Sequence, residues 1–441
     1  MLITLIIIFI LSRFYTANPN PVWFDSLEYL TRLANPNFWE ALTAGHLPLH
    51  AGYILLFKNL LLIPSQIILG LGGLISFYKL THSKTAVLIV SLLPLVWLSQ
   101  TTVMMEAAYV PLFLISLYMF KSKRYWVASF LFGLNLLTHL AVLLWIPLII
   151  YYNPKSWKWL VISIIVTSLF NAYLISPNIF VGLAGVYLSK TSEHVQLTNI
   201  FVLFRNFIIP LLRNNTNLIV ILASISLFRR PSLILWILPA LIVNQWWDSL
   251  FFGRHALIAS YGLALLTAQF LKKHRLGKAV VITCLILVTV PTVARIREPI
   301  PYLEVAKQIN HLQVGGTLID SHFARPQTEG VYLGKTIYVN EPGWQLDLNN
   351  PPIFITKSAL SDPYGLYSGP YLHSLSLSYK DKPALWHTLS TSHFTQVAQD
   401  IYQISNTGLN YPMENLYFSP KRIDYFDPLT QIWFAIKKIF I

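Results

Sequence analysis

The stretch Tyr125–Tyr152, "YWVASFLFGLNLLTHLAVLLWIPLIIYY", contains no acid, lysine or arginine, and its reading orients everything after it. Lys121, Lys123 and Arg124 precede it; Lys155 and Lys158 follow it. A spanning helix needs about 20 mainly apolar residues, and short cytoplasmic loops are enriched in Lys and Arg. A single pass would place the two basic clusters on opposite sides, against that bias. A helical hairpin turning near Thr138-His139 returns them to one side. Each arm is thinner than a standard span and needs shielding by neighbouring helices.

Working outward, apolar runs at 2–17, 52–78, 85–103, 105–120, 157–176, 214–228, 231–247, 256–271 and 278–296 read as further spans. With the hairpin in place, the remaining clusters Lys79/Lys84, Arg229/Arg230 and Lys272/Lys273/Arg275/Lys278 all fall inside. Asp25, Glu28, Glu40, Glu106, Glu193 and Asp248, which are all the acids before Arg297, fall outside. Composition agrees: of 441 residues 55% are hydrophobic and 11% charged, with a mean hydropathy of +0.55, too apolar for one soluble core under a polar skin. The formal charge of +14 is spread as punctuation between apolar runs rather than gathered on one face, so no nucleic-acid partner is expected. A single cysteine, Cys284, excludes an intrachain disulfide. The first run, "LITLIIIFIL", lacks a basic n-region and reads as an uncleaved helix.

After Arg297 the chain turns polar, and the runs "GTLIDS", "KTIYVNE", "PPIFITKSA" and "FTQVAQDIYQIS" read as strands. "PYLEVAKQINHL" has helical spacing. The expected organisation is a polytopic α-helical membrane domain over 1–296 with roughly ten or eleven spans and a first outer loop at 18–51. A small extracytoplasmic α/β domain over 297–411 and a tail over 412–441 with an amphipathic interfacial helix complete it.

The first outer loop holds "FDSLEYL", in which Asp25 and Glu28 would share a helical face. They read either as a solvated loop helix capped by Asp25 or Ser26 or as a general base with a partner. His46 and His50 stand four apart with Pro48 between them and no further ligand at metal spacing, so no divalent metal is required; loop shaping or hydrogen bonding to a ligand is their expected role. Glu106 and His139 sit at the outer ends of apolar runs. Arg254 and His255 stand at the outer mouth of the run that begins at Ala256. An arginine there either anchors its helix or grips a phosphate through a bidentate fork. Trp23, Trp39, Trp246 and Trp247 suit an interfacial aromatic belt.

"FDSLEYL", followed by "GHLPLHAGYILLF" at the entrance to the second span, resembles the first extracytoplasmic loop of the GT-C glycosyltransferases, most closely the protein O-mannosyltransferase-like and related bacterial branches. "GLNLLTHL" and "GRHALIASYGLALLTA" extend the resemblance across roughly 1–296, with Leu47-Pro48 standing where relatives often have Pro-Pro. The resemblance implies transfer of a sugar from a polyprenyl-phosphate donor to a hydroxyl of a glycan, protein or lipid acceptor at the outer face of the plasma membrane, without a bound cofactor. It implies Asp25 as base, Glu28 as its orienting partner, and Glu106, His139, Arg254, His255, His46 and His50 as substrate-binding residues. A multi-span transporter or an O-antigen polymerase- or ligase-like envelope protein is the alternative.

Overall fold

The computed structural model describes residues 2–18, 48–174, 217–228, 230–239, 257–294, 308, 311, 316–319, 335–338, 352–356, 393–399 and 401–405. Most of these are helical. The chain divides into two compact units, one made of Met1–Asn20, Arg32–Ile296 and Asp424–Ile441, the other of Pro21–Thr31 and Arg297–Ile423. In the first unit the helices are α1 (Leu2–Tyr15), α2 (Pro48–Thr81), α3 (Lys84–Leu92), α4 (Pro94–Thr101), α5 (Glu106–Lys121), α6 (Tyr125–Leu136), α7 (Ile146–Tyr152), α8 (Trp157–Leu174), α9 (Asn217–Leu227), α10 (Leu257–Phe270) and α11 (Arg275–Ala294). Among the described residues, one stretch, Leu61–Thr81 of α2, is long and apolar enough by itself to cross a membrane. The pair α3–α4 passes the same test jointly, but bends by 70°.

The quoted stretch folds as a hairpin. Joined by only three residues, and with Phe120 and Tyr125 both meeting Asn153, α5 and α6 run antiparallel; Ser116 Oγ donates to Ala128 O at 3.1 Å and Phe120 meets Phe132 edge-on across their seam. After α6 the chain turns at Leu137–His139. The His139 side chain caps a 3₁₀ turn, Leu140–Trp145, by accepting the Ala141 N–H at 3.1 Å, and α7 then returns. Asn153 closes the base: its amide donates to Phe120 O at 2.7 Å and to the Tyr125 hydroxyl at 3.1 Å. Lys121 Nζ donates to Leu80 O at 2.7 Å. One end of the helix cluster therefore carries Lys79, Lys121, Lys123 and Lys155, and Glu106 begins α5 at the opposite end.

Helix α8 packs on α6 through small and polar residues and turns its apolar side outward. Ser163 Oγ donates to Ser129 O at 2.8 Å, and Ser129 Oγ donates to Trp159 O at 2.9 Å. A Cβ on Gly133 would lie 3.0 Å from Thr167 Oγ1 and 3.2 Å from Ser163 Oγ, which shows how closely the backbones approach. The opposite stripe of Val161, Ile162, Ile165, Val166, Leu169 and Phe170 is exposed, Leu169 by 66%. In water such a helix would present the wrong face.

The break between α3 and α4 follows from Pro94, which has no N–H to continue the ladder. The Ser91 and Leu92 carbonyls it diverts are met from elsewhere. Arg13 Nη2 of α1 donates to Ser91 O, and Thr289 Oγ1 of α11 donates to Leu92 O. The Arg13 guanidinium also donates from Nε to Gln100 Oε1 at 3.2 Å and packs its faces on Phe9 and Trp97, 4.3 and 3.8 Å from the ring centres. A buried cation at the C-terminal end of α3 is favoured by that helix's dipole.

The second unit contains one five-stranded sheet of β1 (Gly316–Ile319), β2 (Lys335–Tyr338), β3 (Ile353–Thr356), β4 (His393–Ala398) and β5 (Ile401–Ser405), in the order β2-β1-β3-β5-β4. β1 pairs parallel with both β2 and β3, which demands crossover connections; β3-β5 and β5-β4 are antiparallel. The run "FTQVAQDIYQIS" splits into the hairpin β4-β5, irregular at Gln396/Ala398. Gln308 and His311, within the stretch expected to be helical, are in helical conformation.

Candidate functional site

At the end of the helix cluster away from the lysines, several chain segments meet through backbone hydrogen bonds. Asn18, just past α1, donates its N–H to Thr101 O at 2.8 Å at the end of α4; Leu49, in the first turn of α2, donates to Leu137 O at 3.2 Å. Both anchors of the loop expected at 18–51 therefore sit here, beside the start of α5 and the hairpin turn. His50 lies in the same first turn of α2.

Two of the expected site residues converge at this end. Glu106 opens α5, buried at 1% exposure, where the helix N-terminus favours a carboxylate. One turn on, the fully buried Tyr109 lies within electrostatic range of that carboxylate. The His139 ring stacks on Tyr109, with centres 4.7 Å apart and planes 28° apart. Because His139 Nδ1 accepts the Ala141 N–H, the neutral ring carries its proton on Nε2. A carboxylate, a phenol and an imidazole are thus gathered at this end, a combination able to accept and donate hydrogen bonds to a polar ligand.

Sequence reasoning missed Tyr109 and Asn135. Asn135 is completely buried, and neither amide atom has a hydrogen-bond partner among the described residues. Ala128, Phe132 and Asn135 fall on one stripe of α6, the stripe that packs on α5, whereas Ser129 and Gly133 face α8. From the Ser116–Ala128 contact, seven residues along each antiparallel helix bring Tyr109 and Asn135 to one level. The signal was a lone amide inside an uncharged apolar run, which is costly when unpaired. Asp25, Glu28, His46, Arg254 and His255 lie outside the described residues, as does the side chain of His50. Among the described residues no three His, Cys, Asp or Glu side chains gather as a metal site. Comparison with protein-family models, with curated proteins and with solved structures finds no match to this chain.

Proposed function

We propose that the chain is a polytopic membrane glycosyltransferase of the GT-C type, moving a sugar from a polyprenyl-phosphate donor to an acceptor hydroxyl at the extracytoplasmic face. Membrane residence is supported by the inside-out packing of α8, with hydroxyls and glycine in the seam and branched apolar side chains outside, as helices pack in lipid. The gathering of Lys79, Lys121, Lys123 and Lys155 at one end supports a cytoplasmic assignment for that end.

The observation that carries the catalytic reading is the hydrogen bonding of Asn18 and Leu49, at the two ends of the 18–51 loop, to the end of the cluster that holds Glu106, Tyr109 and His139. Asp25 and Glu28, the base and partner that the resemblance implies, belong to that loop in the sequence. In the reaction, the Asp25 carboxylate takes the proton of the acceptor hydroxyl while its oxygen bonds to the anomeric carbon. The bond from that carbon to the phosphate oxygen breaks, leaving polyprenyl phosphate held by Arg254. Glu28 orients Asp25 or the acceptor, and Glu106, His139, His46, His50 and His255 hold the substrates. The test is transfer from a synthetic polyprenyl-phosphate sugar by purified protein in nanodiscs. Asp25→Asn should fold normally and lose roughly a hundredfold to ten-thousandfold in turnover; wild-type turnover by a folded variant would remove Asp25 as the base.

One observation favours a second reading. Transporters place discontinuous helices and buried charge at their binding sites, and α3–α4 is such a break with Arg13 against it. Solute flux in proteoliposomes without any sugar transfer would decide for a transporter.

A further inference from the structure

Asn135 is a completely buried carboxamide whose two polar atoms have no hydrogen-bond partner among the described residues; helical register puts it on the α5-facing stripe of α6 at about the level of Tyr109, and its backbone carbonyl accepts the His139 N–H at 2.8 Å. Burying an unpaired amide costs free energy. Packing does not demand one here, because the rest of its stripe, Ala128 and Phe132, is apolar. A water could satisfy the group without giving it a role, so the decisive observation is what the amide is next to. Among the described residues it belongs to the end of the α5–α6 interface nearest Glu106 and His139; further in, that interface continues as Phe113, Phe120 and Phe132.

We propose that the Asn135 carboxamide binds the transferred sugar by pairing with two neighbouring hydroxyls. Its carbonyl oxygen accepts from one hydroxyl and its N–H donates to the oxygen of the next. A carboxamide presents one donor and one acceptor side by side, which matches a vicinal diol and suits neither a phosphate nor an alkyl chain. The proposal rests on the glycosyltransferase reading and deepens it. Glu106 and His139 then bind the rest of the ring, and Asn135 sets which sugars are accepted, since a site built to hydrogen-bond a hydroxyl discriminates strongly against ligands that lack it.

The experiment uses the full chain in nanodiscs with polyprenyl-phosphate mannose, glucose and arabinose as donors. It compares wild type with Asn135→Leu and Asn135→Ala by thermal melting and transfer kinetics. Both variants should melt no lower than a few degrees below wild type, Asn135→Leu at or above it. On the best donor kcat/KM should fall roughly tenfold to hundredfold, the loss expected for two neutral hydrogen bonds, and the preference among the three donors should flatten. Wild-type kcat/KM and donor preference in a folded Asn135→Leu protein would overturn the proposal and leave the glycosyltransferase reading intact. Melting far below wild type in both variants would also overturn it, because the amide would then be holding the fold. A wild type inert on all three donors would sink the glycosyltransferase reading and this proposal together.

Discussion

Replacing Asn153 by alanine should open the base of the α5–α7 hairpin. The side chain is buried and makes three hydrogen bonds: its amide donates to Phe120 O at 2.7 Å and to the Tyr125 hydroxyl at 3.1 Å, and its Oδ1 accepts the Lys155 N–H at 3.1 Å. The last is a helix cap, worth about 1 kcal/mol. Each donated bond contributes about 1 kcal/mol in water and about 0.6 kcal/mol between helices in lipid. The expected loss is about 2–3 kcal/mol, read from denaturant unfolding in mixed micelles. Tyr125→Phe, which removes one bond, should cost about 1 kcal/mol or less, and the double variant should fall short of the sum because the sites share a bond. The same hairpin fixes topology. In a background with the exposed native Cys284 replaced by serine, Lys123→Cys and Lys155→Cys should be labelled by impermeant reagent from one side of sealed vesicles, and Leu140→Cys from the other. A cost below about 0.5 kcal/mol for Asn153→Ala would refute the energetic argument; labelling of positions 123 and 155 from opposite sides would refute the hairpin.

Gly262→Ala should destabilise by about 1–3 kcal/mol in the same unfolding assay, because its Cβ would lie 2.3 Å from Trp236 Cβ, a rigid part of a buried side chain. Gly133→Ala should stay within about 1 kcal/mol of wild type, since it meets rotatable hydroxyls and gains helix propensity. Arg13→Met should lower the unfolding midpoint by uncapping Ser91 O at the α3–α4 break, and Arg13→Lys should recover only part of that, a point charge having no planar fork to stack between Phe9 and Trp97. Arg254→Lys should raise the KM for the polyprenyl-phosphate donor and leave that for the acceptor unchanged, as measured by initial rates of transfer.

Helix positions were legible in the hydropathy of the chain: the runs 2–17, 157–176 and 256–271 correspond to α1, α8 and α10 within about two residues at either end. Breaks were not. The run 85–103 bends by 70° at Leu93-Pro94, and the run beginning at 231 opens as a 3₁₀ turn, Pro231–Trp236. Hydropathy reports the surroundings of a side chain, whereas a break depends on whether a distant segment can take over the freed carbonyls. Pro64 and Pro111 remain inside α2 and α5, and Pro94 begins a new helix, so proline alone does not separate the cases. At the site, Glu106 and His139 were legible because charged or titratable groups are rare in apolar runs. Tyr109 and Asn135 were not, because a tyrosine or a single amide there reads as core.

The irregular points of the first unit share one chemistry. Where the helical ladder stops, the carbonyl left over is met by a donor from far along the chain: Ser91 by Arg13, Leu92 by Thr289, Leu80 by Lys121, Phe120 by Asn153 and Trp236 by the Trp145 indole. A buried carbonyl left without a donor costs free energy, so each break is stable only once the donor's helix has docked. The breaks are therefore consequences of tertiary packing, and losing a donor should destabilise a whole helix pair rather than fray one end. Asn135 departs from this rule. Its polar atoms have no such partner among the described residues, and it lies toward the end of the cluster where Asn18 and Leu49 are bonded, not at the basic end where the lysine and asparagine caps hold the fold. On the proposal made above, the sugar's hydroxyls supply at that end the bonds that no described residue gives this amide.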